Sequence, residues 1–374
     1  AATEHEWTVT GTATANAVHT ILIAGRSSVD FMEYKYSVVI DDTPTAIATK
    51  IKDAINAVLG SPVTATSALG VVTITTKWEG ITSAALVTKI DYANAAGLSY
   101  SKTAETLGSG TVSLAGALAQ FGDTGNTIVI NPYGTDQLTD LETYNGIPDA
   151  ENPTGRYAGL IFKPFVALFG SILDDKDDLA AITDVAARKD QVTNVLCPAP
   201  KSDGFPWEAA ANAAVLFGRI MQDTPHLDVN NKSYPDMPVP GNGLIGDMSE
   251  YNNRDFLVKK GCSTVLLANG KYVIQDFVTT YHVDGESPLQ YSYARNLNLD
   301  WNVSYAYRLL EEVFVKDHVL VLDNQVTDVA KAIKPIEWKG IVKNLFIDLA
   351  TRALINDPDY SKDSLEVEID GTNP

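Results

Sequence analysis

The chain has 374 residues, of which 45% are hydrophobic and 20% are charged, so it is long enough for two or three globular domains and too apolar for a disordered protein. Its 28 basic and 47 acidic side chains give a net charge of −19, which disfavours nucleic acids and anionic membrane surfaces as partners. Two cysteines, Cys197 and Cys262, exclude a disulfide framework or a Cys-rich zinc site. No apolar run approaches the length of a membrane-spanning helix, and no secretory signal is visible.

The first 118 residues predict a small β-rich α+β domain. Pro44 and Gly60 mark the start and the end of a helix, and Ile47, Ile51 and Ile55 recur at helical spacing between them. Alternating apolar residues predict strands at 7–9, 18–23 and 34–40 and a hairpin over 63–76.

Residues 119–374 predict a larger α/β domain with a mixed sheet, which makes the whole chain α+β. Strand patterns and helix patterns alternate in this part of the sequence, an order typical of sheets whose strands are at least partly parallel. The predicted strands lie at 127–131, 157–162 and 192–197, and the predicted helices at 137–144, 167–187, 206–222, 296–316 and 336–355.

A β-hairpin is predicted around Asn269 and Gly270. Two apolar runs, 264–268 and 272–278, flank this Asn-Gly pair, and Asn-Gly suits a type I′ turn because both central residues need a positive φ.

The last strand pattern is one-sided. Leu365, Val367 and Ile369 alternate with Glu366, Glu368 and Asp370, which predicts a strand with one apolar face. Such a strand offers unpaired main-chain groups to another chain. The alternative, that it pairs inside its own sheet, stays open.

Three lysines form a rare basic spot on this acidic chain. Lys334, Lys339 and Lys343 lie on or just before the predicted 336–355 helix, and the last two share a face because they are four residues apart. They are candidates for a docking surface, and the alternative is that they only aid solubility.

The residues give no support for catalysis or for a cofactor or metal site. The five histidines have neither the His-x-His nor the i, i+4 spacing of metal ligands. The acidic run 174–178 has neither the glycine nor the distal glutamate of an EF-hand, and the glycine-rich stretches match no nucleotide-binding loop. We therefore predict a protein that is not an enzyme and has no cofactor.

Several segments in order resemble the Mu-like family of contractile phage tail sheath proteins. The segments are TGTATANAVHTILIAGRSS, AIATKIKDAINA and PVTATSALGVVTITTKWEG, then IVINPYGTDQLTDL, PWEAAANAAVLFGRIMQDTPHLDVNNKSYPDMPVPG and NNRDFLVKKGCSTVLLANGKYVIQDFVTTYHVDGES. The resemblance rests on the collinear order of these segments over about 300 residues more than on any single segment. The stretch 149–190 follows the family only loosely.

The resemblance implies a structural subunit that polymerises around an inner tail tube and contracts to drive the tube through a host envelope. It implies contacts to further copies of the chain by strand exchange, to the tube protein, and to a baseplate and a tail terminator, in a virion tail that is assembled in the bacterial cytoplasm. Residues 1–118 would form an inserted domain on the outside, and 119–374 a core without the family's terminal arms. We expect Leu365, Val367, Ile369, Asn269 and Gly270 at subunit interfaces, and Lys334, Lys339 and Lys343 at the tube.

Three alternatives remain open at this stage. The sheath of a related device, such as a bacteriocin or a secretion apparatus, would have the same sequence features. An α/β enzyme with an accessory domain predicts a deep pocket with converging polar groups at the carboxyl ends of the parallel strands. A surface adhesin predicts a secretory signal in the parent gene.

Overall fold

Two antiparallel sheets and one helix make up the first part of the chain in the computed structural model, which describes residues 1–24, 31–125, 127–149, 151–158 and 162–369. One sheet has the order β4-β5-β1-β7 and the other β3-β2-β6. The elements are β1 (Ala2–Thr10), β2 (Ala17–Ala24), β3 (Phe31–Val38), α1 (Pro44–Asn56), β4 (Val63–Ala68), β5 (Val71–Glu79), β6 (Val87–Asp91) and β7 (Ser99–Thr106).

Helix α1 confirms the helix predicted to start at Pro44. The Thr43 hydroxyl accepts a hydrogen bond from the Ala46 N–H at 3.3 Å, which caps the first turn. Ile47, Ile51 and Ile55 are fully buried against the strands. The helix ends at Asn56, one turn before the Gly60 that was expected to end it.

Strands β6 and β7 were not among the predicted elements. Strand β7 lies at an edge of its sheet and pairs with β1, and seven of its eight residues are exposed. Its Ser, Lys, Thr and Glu side chains therefore show no apolar alternation from which a strand can be predicted.

A three-stranded parallel sheet of order β10-β9-β8 forms the centre of the second part. The helices predicted at 137–144 and 206–222 and the strands at 127–131 and 192–197 are confirmed. The elements are α2 (Ala115–Ala119), β8 (Ile128–Asn131), α3 (Leu138–Asn145), β9 (Val166–Ser171), α4 (Lys176–Thr183), β10 (Asn194–Pro198) and α5 (Pro206–Asp223).

Two predictions in the loosely matching region were wrong. The helix predicted at 167–187 is instead β9 followed by α4. All six residues of β9 are buried because it is the central strand, and a continuous apolar run does not distinguish a buried strand from a buried helix. In place of the strand at 157–162 there is a 3₁₀ turn at Gly155–Tyr157, while 159–161 lie outside the described residues.

The Asn269–Gly270 hairpin is confirmed, and both turn residues have positive φ, 51° and 70°. The helices predicted near 296–316 and 336–355 are also present. The remaining elements are α6 (Tyr251–Lys259), β11 (Thr264–Ala268), β12 (Lys271–Asp276), α7 (Ala294–Asp317), β13 (Val319–Leu320), β14 (Ala332–Ile333), α8 (Pro335–Thr351) and α9 (Pro358–Asp363).

The strand predicted over Leu365, Val367 and Ile369 is not formed. These residues follow α9 without a ladder partner in the described chain, and a strand requires one. The exposure still alternates, since the three apolar residues are half-buried and the two glutamates between them are exposed. Asp370 lies outside the described residues.

Two separate hydrophobic clusters lie along the chain, and the α+β fold class is confirmed. One cluster runs from Val9 to Leu98, and the other runs from Leu118 to Trp301. Leu114 also packs against the second cluster, so the chain joins that core just before residue 118. The domain boundary at 118 stays a prediction. Among the helices of the described chain, none has the length and apolarity needed to span a bilayer.

Candidate assembly surfaces

The carboxyl ends of the parallel strands carry a small apolar cavity of about 330 Å³. Its walls include Tyr133 after β8, Leu173 after β9 and Trp207 at the start of α5, and Ile81 and Thr82 of the first part of the chain complete it. No carboxylate, histidine, lysine or arginine lines it. The polar side chains that line it are the hydroxyls of Thr82, Tyr133 and Ser171, so the lining lacks the carboxylates, histidines and lysines that most often act as general acids or bases.

The amino end of α5 packs directly on β9. A Cβ added at Gly170 would lie 1.6 Å from the carbonyl oxygen of Pro206. The Glu208 carboxylate, in the first turn of α5, accepts a hydrogen bond from the Phe205 N–H at 2.9 Å. This bond satisfies the backbone N–H of the residue that precedes the helix.

A larger groove of about 1090 Å³ opens along α7, beside the start of β8 and away from the carboxyl ends of the strands. Trp301, Tyr305 and Leu309 form its α7 wall, and Ile128 and Met221 lie opposite. Arg308 stacks over the ring of Phe162, with 4.9 Å between the guanidinium carbon and the ring centroid.

Helix α7 also carries an exposed apolar stripe that the sequence analysis missed. Tyr305, Leu309 and Val313 are 62%, 46% and 63% exposed and recur every four residues, which places them on one face. Their spacing of four residues is visible in the sequence and could have predicted an apolar face on this helix. An exposed apolar stripe of this kind is typical of a surface that contacts another protein.

One partly buried ionic cluster has the donor types of a metal site. His282 and two carboxylates, of Asp184 and Asp284, lie close together, but the Lys260 ammonium lies 2.6 Å from Asp184 and 3.3 Å from Asp284. Lys189 is 3.2 Å from Asp284. The two lysines therefore neutralise the two carboxylates, and the arrangement is an ion-pair network.

The network lowers the pKa of both of its carboxyl groups. The hydrogen bond from Lys260 holds the pKa of Asp184 below its ordinary value, against the opposing effect of burial. Hydrogen bonds from Lys189 and Lys260 lower the pKa of Asp284. His282 has its Nδ1 2.9 Å from the Thr280 carbonyl and its Nε2 3.1 Å from Asp184, so its ring is fixed at both nitrogens.

Both cysteines are fully buried with free thiols. Burial raises the pKa of each thiol far above its ordinary value. Since the thiolate is the reactive form, neither cysteine has the environment of a nucleophile.

The hairpin of β11 and β12 is anchored along one edge. The stretch 231–234 runs beside β12, where the Asn231 N–H donates to the Ile274 carbonyl at 2.7 Å and the Tyr234 N–H to the Tyr272 carbonyl at 2.8 Å. Strand β11 pairs with β12 only, in the described chain. The free edge of this sheet, meaning the edge without a ladder partner in the described chain, is therefore the outer side of β11. Thr264 and Val265 at the start of β11 are buried, and the 3₁₀ turn Gly246–Ser249 packs against the strand, whereas Ala268, Asn269 and Gly270 at its other end are exposed.

The three candidate lysines lie on α8 or immediately before it. Lys334 precedes the helix, and its backbone N–H donates to the Glu337 carboxylate at 2.9 Å. Lys339 and Lys343 are half-exposed, and neither forms an ion pair with any described residue. Trp338 packs edge-on against Phe314 of α7, with ring centroids 5.2 Å apart, so α8 is fixed against α7.

The structure does not bring these candidate residues into one site. The hairpin tip, the lysines of α8 and the segment 365–369 belong to separate elements. None of the described cavities includes a residue of any of the three. Together these observations describe an α+β protein whose candidate residues lie on exposed edges and faces.

Comparison with known proteins confirms the resemblance to Mu-like tail sheath proteins. A Mu-like prophage FluMu tail sheath protein of Haemophilus influenzae is 24% identical over 380 aligned positions, which cover 98% of this chain and 72% of that protein. No family model matches the chain. The crystal structure of a sheath tail protein from Desulfitobacterium hafniense matches over 94% of this chain and 72% of its own, with 12% identity and a TM-score of 0.41.

Proposed function

We propose that this protein is a structural, non-enzymatic subunit of a tail sheath, which polymerises around an inner tail tube. The observation that carries the proposal is the collinear similarity to a tail sheath protein over 98% of the chain. The apolar lining of the cavity at the carboxyl ends of the strands supports a structural function over an enzymatic one.

Contraction is the second part of the proposal. A contractile polymer needs subunits with two stable sets of contacts, and a few kcal/mol per subunit adds up over many copies. Subunits held together by main-chain hydrogen bonds at sheet edges stay connected while their side-chain contacts change.

The free edge of β11 is the proposed acceptor for a strand from a neighbouring subunit. It is supported by the pairing of β12 with 231–234 on the other side, since this leaves the outer edge of β11 as the one without a ladder partner in the described chain. The segment with Leu365, Val367 and Ile369 is the proposed second contact, because it has one half-buried apolar side and no partner in the described chain. Asn269 and Gly270 would lie at the end of the acceptor edge.

The proposed tube-facing surface is α8. Lys339 and Lys343 lie four residues apart and have no described ion-pair partner, so they are available to an acidic surface. Residues 1–118 would lie on the outer side of the sheath, since they contain a hydrophobic cluster of their own and need no neighbour to bury it.

The remaining proposed partners are a baseplate and a tail terminator, and the proposed location is a virion tail assembled in the host cytoplasm. The genes adjacent to this one distinguish a phage tail from a related injection device. Electron microscopy of the purified full-length protein tests the structural function itself, since a sheath subunit forms hollow tubes or stacked rings.

A further inference from the structure

The chain contains three Asn-Gly pairs, at Asn145, Asn242 and Asn269. An asparagine followed by glycine is prone to spontaneous deamidation, because glycine has no side chain to hinder its own amide nitrogen. In that reaction the Gly nitrogen attacks the Asn side-chain carbonyl carbon. The structure places the three pairs in different environments, and these environments predict different rates.

At Asn145, hydrogen bonds hold both the side chain that would be attacked and the Gly146 nitrogen that would attack it. Its side chain is buried and donates to the Phe165 carbonyl and the Thr193 hydroxyl, both at 2.8 Å. Its Oδ1 accepts the Phe165 N–H at 2.9 Å. The nitrogen that would attack, that of Gly146, donates to the Glu142 carbonyl at 2.8 Å.

Asn242 is exposed but held in a turn. Its Oδ1 accepts the Leu244 N–H at 3.0 Å, and the Gly243 N–H donates to the Pro240 carbonyl at 2.9 Å. Attack at this pair requires both hydrogen bonds to break.

Asn269 and Gly270 have neither restraint. Both residues are exposed at the tip of the hairpin, and no hydrogen bond in the described structure engages the Asn269 side chain or the Gly270 N–H. A Cβ at Gly270 would meet no atom within 4 Å, so the space around the reacting groups is open.

We propose that Asn269 is the deamidation site of the folded protein. The deprotonated Gly270 nitrogen forms a bond to Cγ of Asn269, the bond from Cγ to the side-chain nitrogen breaks, and ammonia leaves. Water then opens the resulting succinimide at either carbonyl, which gives aspartate or isoaspartate. No oxidant or reductant takes part.

The modification alters the hairpin tip in two ways. Either product adds one negative charge to a chain that carries −19. Isoaspartate also inserts a methylene into the main chain, so the two-residue connection between Ala268 and Lys271 no longer has the geometry of a type I′ turn. This inference is independent of the proposed sheath function.

Peptide mapping by mass spectrometry tests the assignment. The folded protein is incubated in mildly alkaline buffer, and a second sample is incubated in concentrated urea. In the folded protein, deamidation at Asn269 should exceed that at Asn145 and Asn242 several-fold. In urea the three sites should react at similar rates, since each precedes a glycine. Equal deamidation rates at the three asparagines in the folded protein would overturn the proposal. It would also be overturned if Asn269 were deamidated in urea but not in the folded protein.

Two matched variants sharpen the test. Asn269→Gln should remove most of the ammonia that the folded protein releases, because a glutamine would have to form a less favourable six-membered ring. Asn242→Gln, at the other exposed pair, should leave that release nearly unchanged. The reverse pattern would assign the reaction to Asn242.

Discussion

Gly170 of β9 and Pro206 of α5 are packed so closely that a Cβ on Gly170 would lie 1.6 Å from the Pro206 carbonyl oxygen. The atom in the way is backbone at the start of an 18-residue helix, so it cannot move aside as a flexible side chain does. This contact sets the distance between the central strand and the amino end of α5.

Gly170→Ala should therefore destabilise the fold by roughly 3 kcal/mol, the upper range for overpacking of a core. Denaturant unfolding followed by circular dichroism measures the effect. The matched control is Gly340→Ala in α8, where a Cβ meets nothing within 4 Å; it should raise stability by about 0.5 to 1 kcal/mol. Equal stability of the two variants would contradict the packing described for β9 and α5.

The ion-pair network at Asp184 predicts a dependence of stability on pH. Since Lys260 lowers the pKa of Asp184 in the folded state, the pair stabilises the fold above the carboxylate's unfolded pKa, and this contribution is lost as the pH falls through the lower folded value. Lys260→Met should cost about 1 kcal/mol near neutral pH, because the carboxylate is partly exposed. Below that folded value the variant and the parent protein should converge.

Unfolding titrations at a series of pH values measure this difference. Lys259→Met is the control, because Lys259 pairs with Asp255 on the exposed side of α6, and exposed pairs of this kind contribute under about 0.5 kcal/mol. A Lys260→Met penalty that is the same at every pH would show that lost packing, and not the ion pair, causes it.

Charge reversal on α8 tests the proposed tube-facing surface. Lys339→Glu combined with Lys343→Glu should abolish co-sedimentation of the full-length protein with its tube protein, because the proposed contact joins basic side chains to an acidic surface. Lys35→Glu combined with Lys259→Glu, at two exposed positions on other elements, is the control, because it changes the net charge by the same amount. Unchanged binding by the double variant would remove α8 from the interface.

The acidity of the chain predicts that assembly responds to salt. Residues 1–118 hold 7 basic and 10 acidic side chains, which leaves 21 and 37 in residues 119–374, so most of the excess lies in the proposed lattice-forming part. Salt screens repulsion between like-charged subunits, and added salt should therefore promote polymerisation of the full-length protein in light-scattering assays. If salt never promotes association, charge repulsion is not an important barrier.

Local signals in the sequence predicted much of the fold. The Thr43 and Pro44 start of α1 and the Asn-Gly turn of the hairpin are determined by neighbouring residues, and both were found. Strand β9 was mistaken for a helix because its burial on both faces removes the periodicity that separates the two. The polar edge strand β7 was missed because its strand structure depends on pairing with β1 and not on its own side chains.

The candidate site could be predicted only in part, for the same physical reason. The sequence predicted the Asn269 turn, but the free edge of β11 follows from a long-range contact of β12 with 231–234. The stripe of Tyr305, Leu309 and Val313 has helical spacing, but its exposure becomes evident only when α8 and the core are seen to pack against other faces of α7.

Electron microscopy of the purified full-length protein, expressed alone and examined over a range of salt concentrations, tests the central claim most directly. A tail sheath subunit should form hollow tubes or stacked rings with a central channel wide enough for an inner tube. A protein that stays a monodisperse monomer under all of these conditions, and does not assemble when its tube protein is added, would contradict the proposed function.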